Sequence, residues 1–212
     1  MTTAPLTTPG LRRRARAAPR PGAAPPAGSG AERCDLCAET LPASHRHLLE
    51  ARTGTVRCAC TACSLLFDHA AGDGTGYRLL PADRRRLDGC VVDDATWAAL
   101  GVPVGLVFFT RSPAGVTAAY PGPLGLTRSV VEPHTWARLR TAHPALPRLR
   151  DDVEALLAQR DHPDGRAPRY WIVPLDDCYR LAALVRAHWK GLGGGGEVWQ
   201  RIDDFLDTLA PG

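Results

Sequence analysis

The sequence has no apolar run that approaches the roughly 18 residues needed to cross a bilayer. Its longest apolar stretch, residues 102–109, contains Pro103 and Gly105 and is predicted to be a strand. An Arg-rich segment near the start is followed by Ala, Pro and Gly, not by the apolar segment of a secretory signal. These absences predict a cytoplasmic protein without a membrane span.

Acidic residues are absent before Glu32, whereas five arginines precede it. The formal net charge of +4 therefore divides into +5 for residues 1–31 and −1 for residues 32–212. The first segment is rich in Pro, Ala and Gly, and such a composition buries too little apolar surface to offset its ordering entropy. We predict a disordered tail over residues 1–31. The near-neutral remainder argues against a nucleic-acid interface, which needs a basic face.

The motifs of common hydrolases and nucleotide-binding enzymes are also missing. There is no Gly-x-Ser-x-Gly and no His-Glu-x-x-His, and the four-glycine run at 193–196 lacks the Gly-Lys-Ser/Thr ending of a P-loop. Pairs of aspartates are the remaining candidates for acid–base chemistry. The four pairs are at residues 93–94, 151–152, 176–177 and 203–204. The first three stand at the starts of predicted helices, where they would act as caps. The last lies within a predicted helix and is expected to be exposed. The sequence therefore predicts a non-catalytic protein.

The distinctive feature is a group of cysteines between residues 34 and 63. Two Cys-x-x-Cys pairs, Cys34/Cys37 and Cys60/Cys63, are separated by 22 residues. An odd total of seven cysteines without an export signal favours a metal site over a disulfide framework. Each pair can grip one metal ion from a tight turn, called a knuckle. Two knuckles joined by a β-hairpin complete a tetrahedral site, and a hairpin with its turn at Gly54 is predicted between them.

Zinc is the expected ion because structural four-cysteine sites most often hold zinc, although the same ligands accept iron. Cys58 is a fifth cysteine, and in a strand it would share a face with Cys60, so both could approach one metal. It leaves three alternatives: it replaces Cys60 or Cys63 as a ligand, it is a reactive spare thiol, or it is a small buried apolar residue. Were it spare and beside a metal, its pKa would be lowered. His45 and His47 alternate along a predicted strand. We expect them to be surface residues or hydrogen-bond donors behind the metal ligands, although a mixed Cys/His site is conceivable there.

The predicted fold class is α+β. It consists of a zinc-ribbon-like hairpin module over residues 32–70, followed over residues 71–212 by an α+β domain with a small antiparallel sheet and several helices. Apolar spacing predicts strands near residues 77–80, 104–111, 116–120, 126–132 and 170–173. Helices are predicted near residues 94–100, 134–142, 149–157, 178–188 and 198–209. Cys178 is expected in the core, and Trp189 and Trp199 are expected to close it beside the glycine run.

Two resemblances follow from these residues. The cysteine segment resembles zinc-ribbon and rubredoxin-like knuckles. Those knuckles usually have Gly directly or shortly after the second Cys, where this chain has Ala38 and Ser64. Several longer blocks resemble an uncharacterised actinobacterial family: Cys34–Cys37, His45–Glu50, Cys58–Phe67, Tyr120–Pro123, Trp171–Arg180 and Trp189–Gly191. Similarity to that family implies a genomic setting beside high-affinity nickel–iron hydrogenase genes.

The function predicted from these observations is that of a zinc-binding accessory or adaptor protein. Its expected partner is a protein, either a nickel–iron hydrogenase or the machinery for its maturation, as the resemblance implies. One alternative is a rubredoxin-like electron carrier that holds iron. Another is a nucleic-acid-binding zinc ribbon, for which Arg52 and Arg57 flank the hairpin turn.

Overall fold

A computed structural model describes residues 32–67, 76–191 and 193–209 of the chain. The segment 1–31, predicted to be disordered, lies outside these residues, and so does the predicted module boundary at residue 70. Residues Glu32–Gly212 form one compact unit. Among the described residues, no helix is both long enough and apolar enough to span a membrane.

The fold is α+β, as the sequence predicts, and its strands form two antiparallel sheets. The strands are β1 Arg46–Glu50, β2 Thr55–Ala59, β3 Tyr77–Leu79, β4 Arg85–Arg86, β5 Leu106–Ser112, β6 Gly115–Gly122, β7 Gly125–Val131, β8 Glu154–Gln159 and β9 Arg169–Pro174. The smaller sheet has the order β2-β1-β3 and the larger the order β4-β9-β8-β5-β6-β7. The helices are α1 Thr61–Phe67, α2 Asp94–Ala99, α3 Pro133–Ala142, α4 Leu175–His188 and α5 Gly195–Thr208.

Helices cover both faces of the larger sheet, so its central strands are buried on both sides. One core contains the apolar faces of α4 and α5, and the other contains Trp97 of α2 and Trp136 of α3. Adjacent residues of β8 alternate between the two cores: Ala155 and Leu157 enter the first, while Leu156 enters the second. Cys178 is fully buried in the first core, as predicted, and Trp189 and Trp199 pack against its edge.

The prediction of a helix over residues 149–157 is wrong. Glu154–Gln159 is strand β8, preceded by a turn in which Asp152 has a φ of 62°. A strand buried on both faces is apolar at almost every position, and over so short a run it cannot be distinguished from a buried helix by periodicity. The predicted capping role of the pair at residues 151–152 is lost with the helix.

Only one of the aspartate pairs caps a helix as expected. Asp93 accepts a hydrogen bond from the Thr96 backbone N–H at 2.8 Å at the start of α2. Asp177 lies in the first turn of α4 but is fully buried and accepts two hydrogen bonds from Arg84. Asp203 was expected to be exposed, yet it is buried against arginines that extend from the sheet and the loop before it. The buried carboxylates of Asp177 and Asp203 are thus paired with arginines that reach them from more exposed positions.

Candidate metal centre

The first knuckle is a tight turn closed by backbone hydrogen bonds. The Cys34 N–H donates to the Glu39 carbonyl at 2.8 Å, and the Ala38 N–H donates to the Cys34 carbonyl at 2.8 Å. Ala38 has a φ of 64°, in the left-handed region that glycine favours. The residue after Cys37 therefore takes the backbone conformation expected of a knuckle glycine, although it carries a side chain.

The second knuckle is the first turn of helix α1. Strand β2 ends at Ala59, and α1 begins two residues later, which places Cys60 just before the helix and Cys63 in its first turn. The Ser64 N–H donates to the Cys60 carbonyl at 2.9 Å, and the Cys63 N–H donates to the Cys60 Sγ at 3.4 Å. Because this turn is helical, Ser64 needs no left-handed backbone and no glycine.

The two knuckles bring four sulfur atoms together. The Sγ atoms of the four cysteines all lie within 4.8 Å of one another: Cys34, Cys37, Cys60 and Cys63. Cys37 Sγ and Cys60 Sγ are 3.6 Å apart, too far for a disulfide and close to the edge of about 3.8 Å of a tetrahedron with Zn–S bonds of about 2.3 Å. The donor set therefore fits one thiolate-bound metal ion.

The protein environment shifts the pKa values of two of these thiols in opposite directions. Burial opposes ionisation of Cys34, but backbone N–H groups, that of Cys60 foremost, lower the pKa of its thiol to about 6. Burial and the neighbouring sulfurs raise the pKa of Cys63. Without a cation, the crowded thiols cannot all be thiolates near neutral pH, because each new negative charge opposes the next. A divalent ion removes that conflict and lets all four ionise.

One side of the centre is packed and the other is open. Cys34 and Cys63 are buried in a small core with Leu41, Leu48 and Ala59. Cys37 is exposed. The metal would therefore complete a small core that has few apolar residues of its own, while one ligand faces solvent.

Cys58 lies outside the four-cysteine group. Its backbone N–H donates to Asp35 Oδ2 at 2.7 Å, and its carbonyl accepts from the Asp35 N–H at 2.9 Å, which ties the first knuckle to β2. Its side chain instead lies with His45 and His47, and the three ligand atoms are within 4.8 Å of one another. The expectation that Cys58 and Cys60 share a strand face fails because β2 ends between them. Burial, together with Asp35, raises the pKa of the metal-free Cys58 thiol.

Sequence reasoning missed one residue beside this second group. Asp176, in the first turn of α4, places its Oδ2 2.9 Å from His47 Nδ1. In the sequence, Asp176 has only the signature of a helix cap. Its distance along the chain from His47 gives no signal of the contact, which depends on how the small sheet packs against α4.

Comparison with known proteins identifies the family of the chain. Residues 33–211 match the model of a family of unknown function, DUF5947. The chain belongs to DUF5947. The prediction of an uncharacterised family is therefore confirmed, and the DUF5947 match covers both the cysteine segment and the larger sheet. Neither the curated proteins nor the solved structures provide a significant match.

Proposed function

We propose that this protein is a non-catalytic accessory protein in which a zinc ion, held by Cys34, Cys37, Cys60 and Cys63, stabilises the surface that a protein partner recognises. The observation that carries the proposal is the convergence of four sulfurs within 4.8 Å from two separate knuckles. Thiolate-only tetrahedral sites of this kind are most often structural zinc sites. The small core around Leu48 would depend on the ion, since so few apolar residues cannot stabilise a fold alone.

Elemental analysis with an absorption spectrum, on protein purified without oxygen, tests the ion directly. Zinc in a colourless protein supports the proposal. The variant Cys37→Ser should lose that zinc and much of its soluble yield. The matched control Cys90→Ser, which lies outside the four-cysteine group and away from Cys58, should keep its zinc and its yield. Full stability of Cys37→Ser without metal would contradict a structural zinc.

The exposure of Cys37 supports iron as the second candidate. A ligand sulfur at the surface shortens the path for an electron to a redox partner, as a rubredoxin-like carrier requires. Iron in the anaerobically purified protein, with thiolate-to-iron absorption that bleaches on reduction, would favour electron transfer over a structural role. The four ligands are the same in both cases, so the metal content decides between them.

The proposed partner is a nickel–iron hydrogenase or a component of its maturation machinery, on the strength of the resemblance in the sequence blocks. Leu65 and Leu66 on α1 support a protein partner, because they expose 64% and 71% of their surface directly after the second knuckle. The double variant Leu65→Ser/Leu66→Ser should weaken binding to the hydrogenase of the same source without changing metal content. Leu124→Ser, exposed on a different hairpin, is the control. Unchanged binding of the double variant would show that α1 is not part of the interface.

A further inference from the structure

Three side chains outside the four-cysteine centre form a second cluster with metal-ligand chemistry. His47 on β1 is the register partner of Cys58 on β2, so the two side chains emerge side by side. His45 precedes His47 by two residues and lies on the same side of the chain. One ring nitrogen of each histidine and the Cys58 Sγ lie within 4.8 Å of one another, and the two ring centres are 4.7 Å apart.

The hydrogen bonding of His45 prepares it for a metal. Its side chain is only 6% exposed, and its Nδ1 lies 3.0 Å from the Pro42 carbonyl oxygen. A carbonyl can only accept, so Nδ1 carries the proton of the neutral ring and Nε2 carries the lone pair. That Nε2 is buried and has no hydrogen-bond partner. A buried polar atom left unpaired is costly, and a bound ion would satisfy it.

His47 is oriented in the way that metal-ligating histidines usually are. Its Nδ1 lies 2.9 Å from Asp176 Oδ2, so the carboxylate can accept the Nδ1 proton and leave Nε2 as the donor atom. The other carboxylate oxygen, Asp176 Oδ1, is buried without a hydrogen-bond partner. Asp176 is therefore located where it can orient His47 as a ligand and add negative charge near a bound cation.

The cluster opens onto a cleft of about 510 Å³ between the small sheet and the start of α4. The three candidate ligands, Asp176 and the guanidinium-bearing Arg84 and Arg180 all line this cleft. Three protein ligands beside an open volume differ from the closed four-cysteine centre. They match sites at which water or an exogenous ligand completes the coordination of the metal.

We propose that His45, His47 and Cys58 hold a second transition-metal ion, with Asp176 positioning His47 and one coordination position open to the cleft. Two imidazoles and one thiolate suit a late first-row ion such as Zn²⁺ or Co²⁺ and do not suit Mg²⁺ or Ca²⁺, which prefer oxygen ligands. Arg84 and Arg180 in the cleft are both paired with Asp177, so water is the expected ligand at the open position. The site is built from different side chains than the four-cysteine centre, and it stands whether or not that centre holds zinc.

Cobalt titration of the metal-free full-length chain under anaerobic conditions tests the proposal. Two Co²⁺ ions should bind per chain, in two spectrally distinct steps. The step assigned to the second site should show thiolate-to-cobalt absorption of roughly a quarter of the other, because it has one sulfur ligand where the other has four. A single step, with a spectrum of four sulfurs and no further cobalt bound at micromolar concentration, would overturn the second site even if no variant folds.

Variants then assign the ligands. Cys58→Ser should bind one Co²⁺ fewer than the wild type, whereas Cys90→Ser should match the wild type. Asp176→Asn should retain the ligands but weaken the second ion by roughly tenfold to a hundredfold, with Asp176→Glu restoring part of the affinity. A Cys58→Ser chain that still binds two ions with unchanged spectra would refute this ligand set. If no ion binds at the four cysteines but the step with the weaker thiolate-to-cobalt absorption remains, the proposed structural zinc is refuted and the second site is supported.

Discussion

Ala38 adopts a backbone conformation that is unfavourable for any residue with a side chain. Its φ of 64° closes the turn that carries Cys34 and Cys37, and left-handed backbone costs an L-residue roughly 1 kcal/mol. Ala38→Gly removes that strain but adds freedom to the unfolded chain, which offsets part of the gain. We expect the metal-bound protein to unfold at a higher urea concentration, with a net stabilisation of up to about 1 kcal/mol.

The matched control is Ala51→Gly in the turn between β1 and β2, where the alanine is exposed and its φ is not in the left-handed region. There the added freedom of the unfolded chain acts alone, so the control should be slightly destabilised. Equal destabilisation of the two variants would show that the first knuckle stores no strain at Ala38.

At the scale of residues, the four-cysteine group is much easier to predict from the sequence than the second group of candidate ligands. The proximity of the two Cys-x-x-Cys pairs can be predicted from the sequence, because each pair is local and the hairpin between them brings its two ends together. The cluster of His45, His47 and Cys58 requires the register of β1 on β2, and its link to Asp176 requires the packing of α4. Neither is encoded in local spacing, so sequence reasoning could only raise a mixed Cys/His site as conceivable.

Among the elements, β8 shows where periodicity fails. Strands β5, β6 and β7 were predicted close to their observed positions. All six residues of β8 are buried, since the strand lies in the middle of the larger sheet with helices on both sides. Alternation vanishes when both faces are apolar, and a neighbouring Leu149 and Val153 completed a false helical pattern.

The central position of β8 makes a quantitative prediction for Leu156. Its side chain is 1% exposed and belongs to the core beneath α2 and α3. Leu156→Ala should lower the free energy of unfolding by about 2–5 kcal/mol, through lost burial and the cavity left behind. Val130→Ala in β7, where the side chain is 82% exposed, should change it by less than about 0.5 kcal/mol. Urea unfolding followed by circular dichroism measures both, and similar small effects would contradict the central placement of β8.

For the molecule as a whole, the small sheet and the larger sheet are joined by shared side chains. Leu48 and Leu49 are adjacent on β1, yet the first packs with the cysteines and the second enters the core under α4. Arg78 on β3 pairs with Asp152 at 2.6 Å, and His47 pairs with Asp176. Strand β3 also extends the small sheet beyond the predicted limit of the module at residue 70. Stabilisation by a metal at the knuckles can therefore reach the larger sheet through β1.

This coupling predicts that metal removal destabilises the entire compact unit. All five tryptophans lie beyond residue 96, outside the small sheet, so their fluorescence reports on the larger sheet and its helices. Stripping the metal with a chelator should shift the tryptophan-detected urea midpoint to lower concentration, and one equivalent of Zn²⁺ should restore it, because an ion that binds only the folded state stabilises it. Arg78→Met weakens one connection between the sheets and should make the shift smaller. An unchanged tryptophan midpoint after complete metal removal would mean that the larger sheet folds independently of the knuckles, and that the contacts of Leu49 and Arg78 carry no stability between the two.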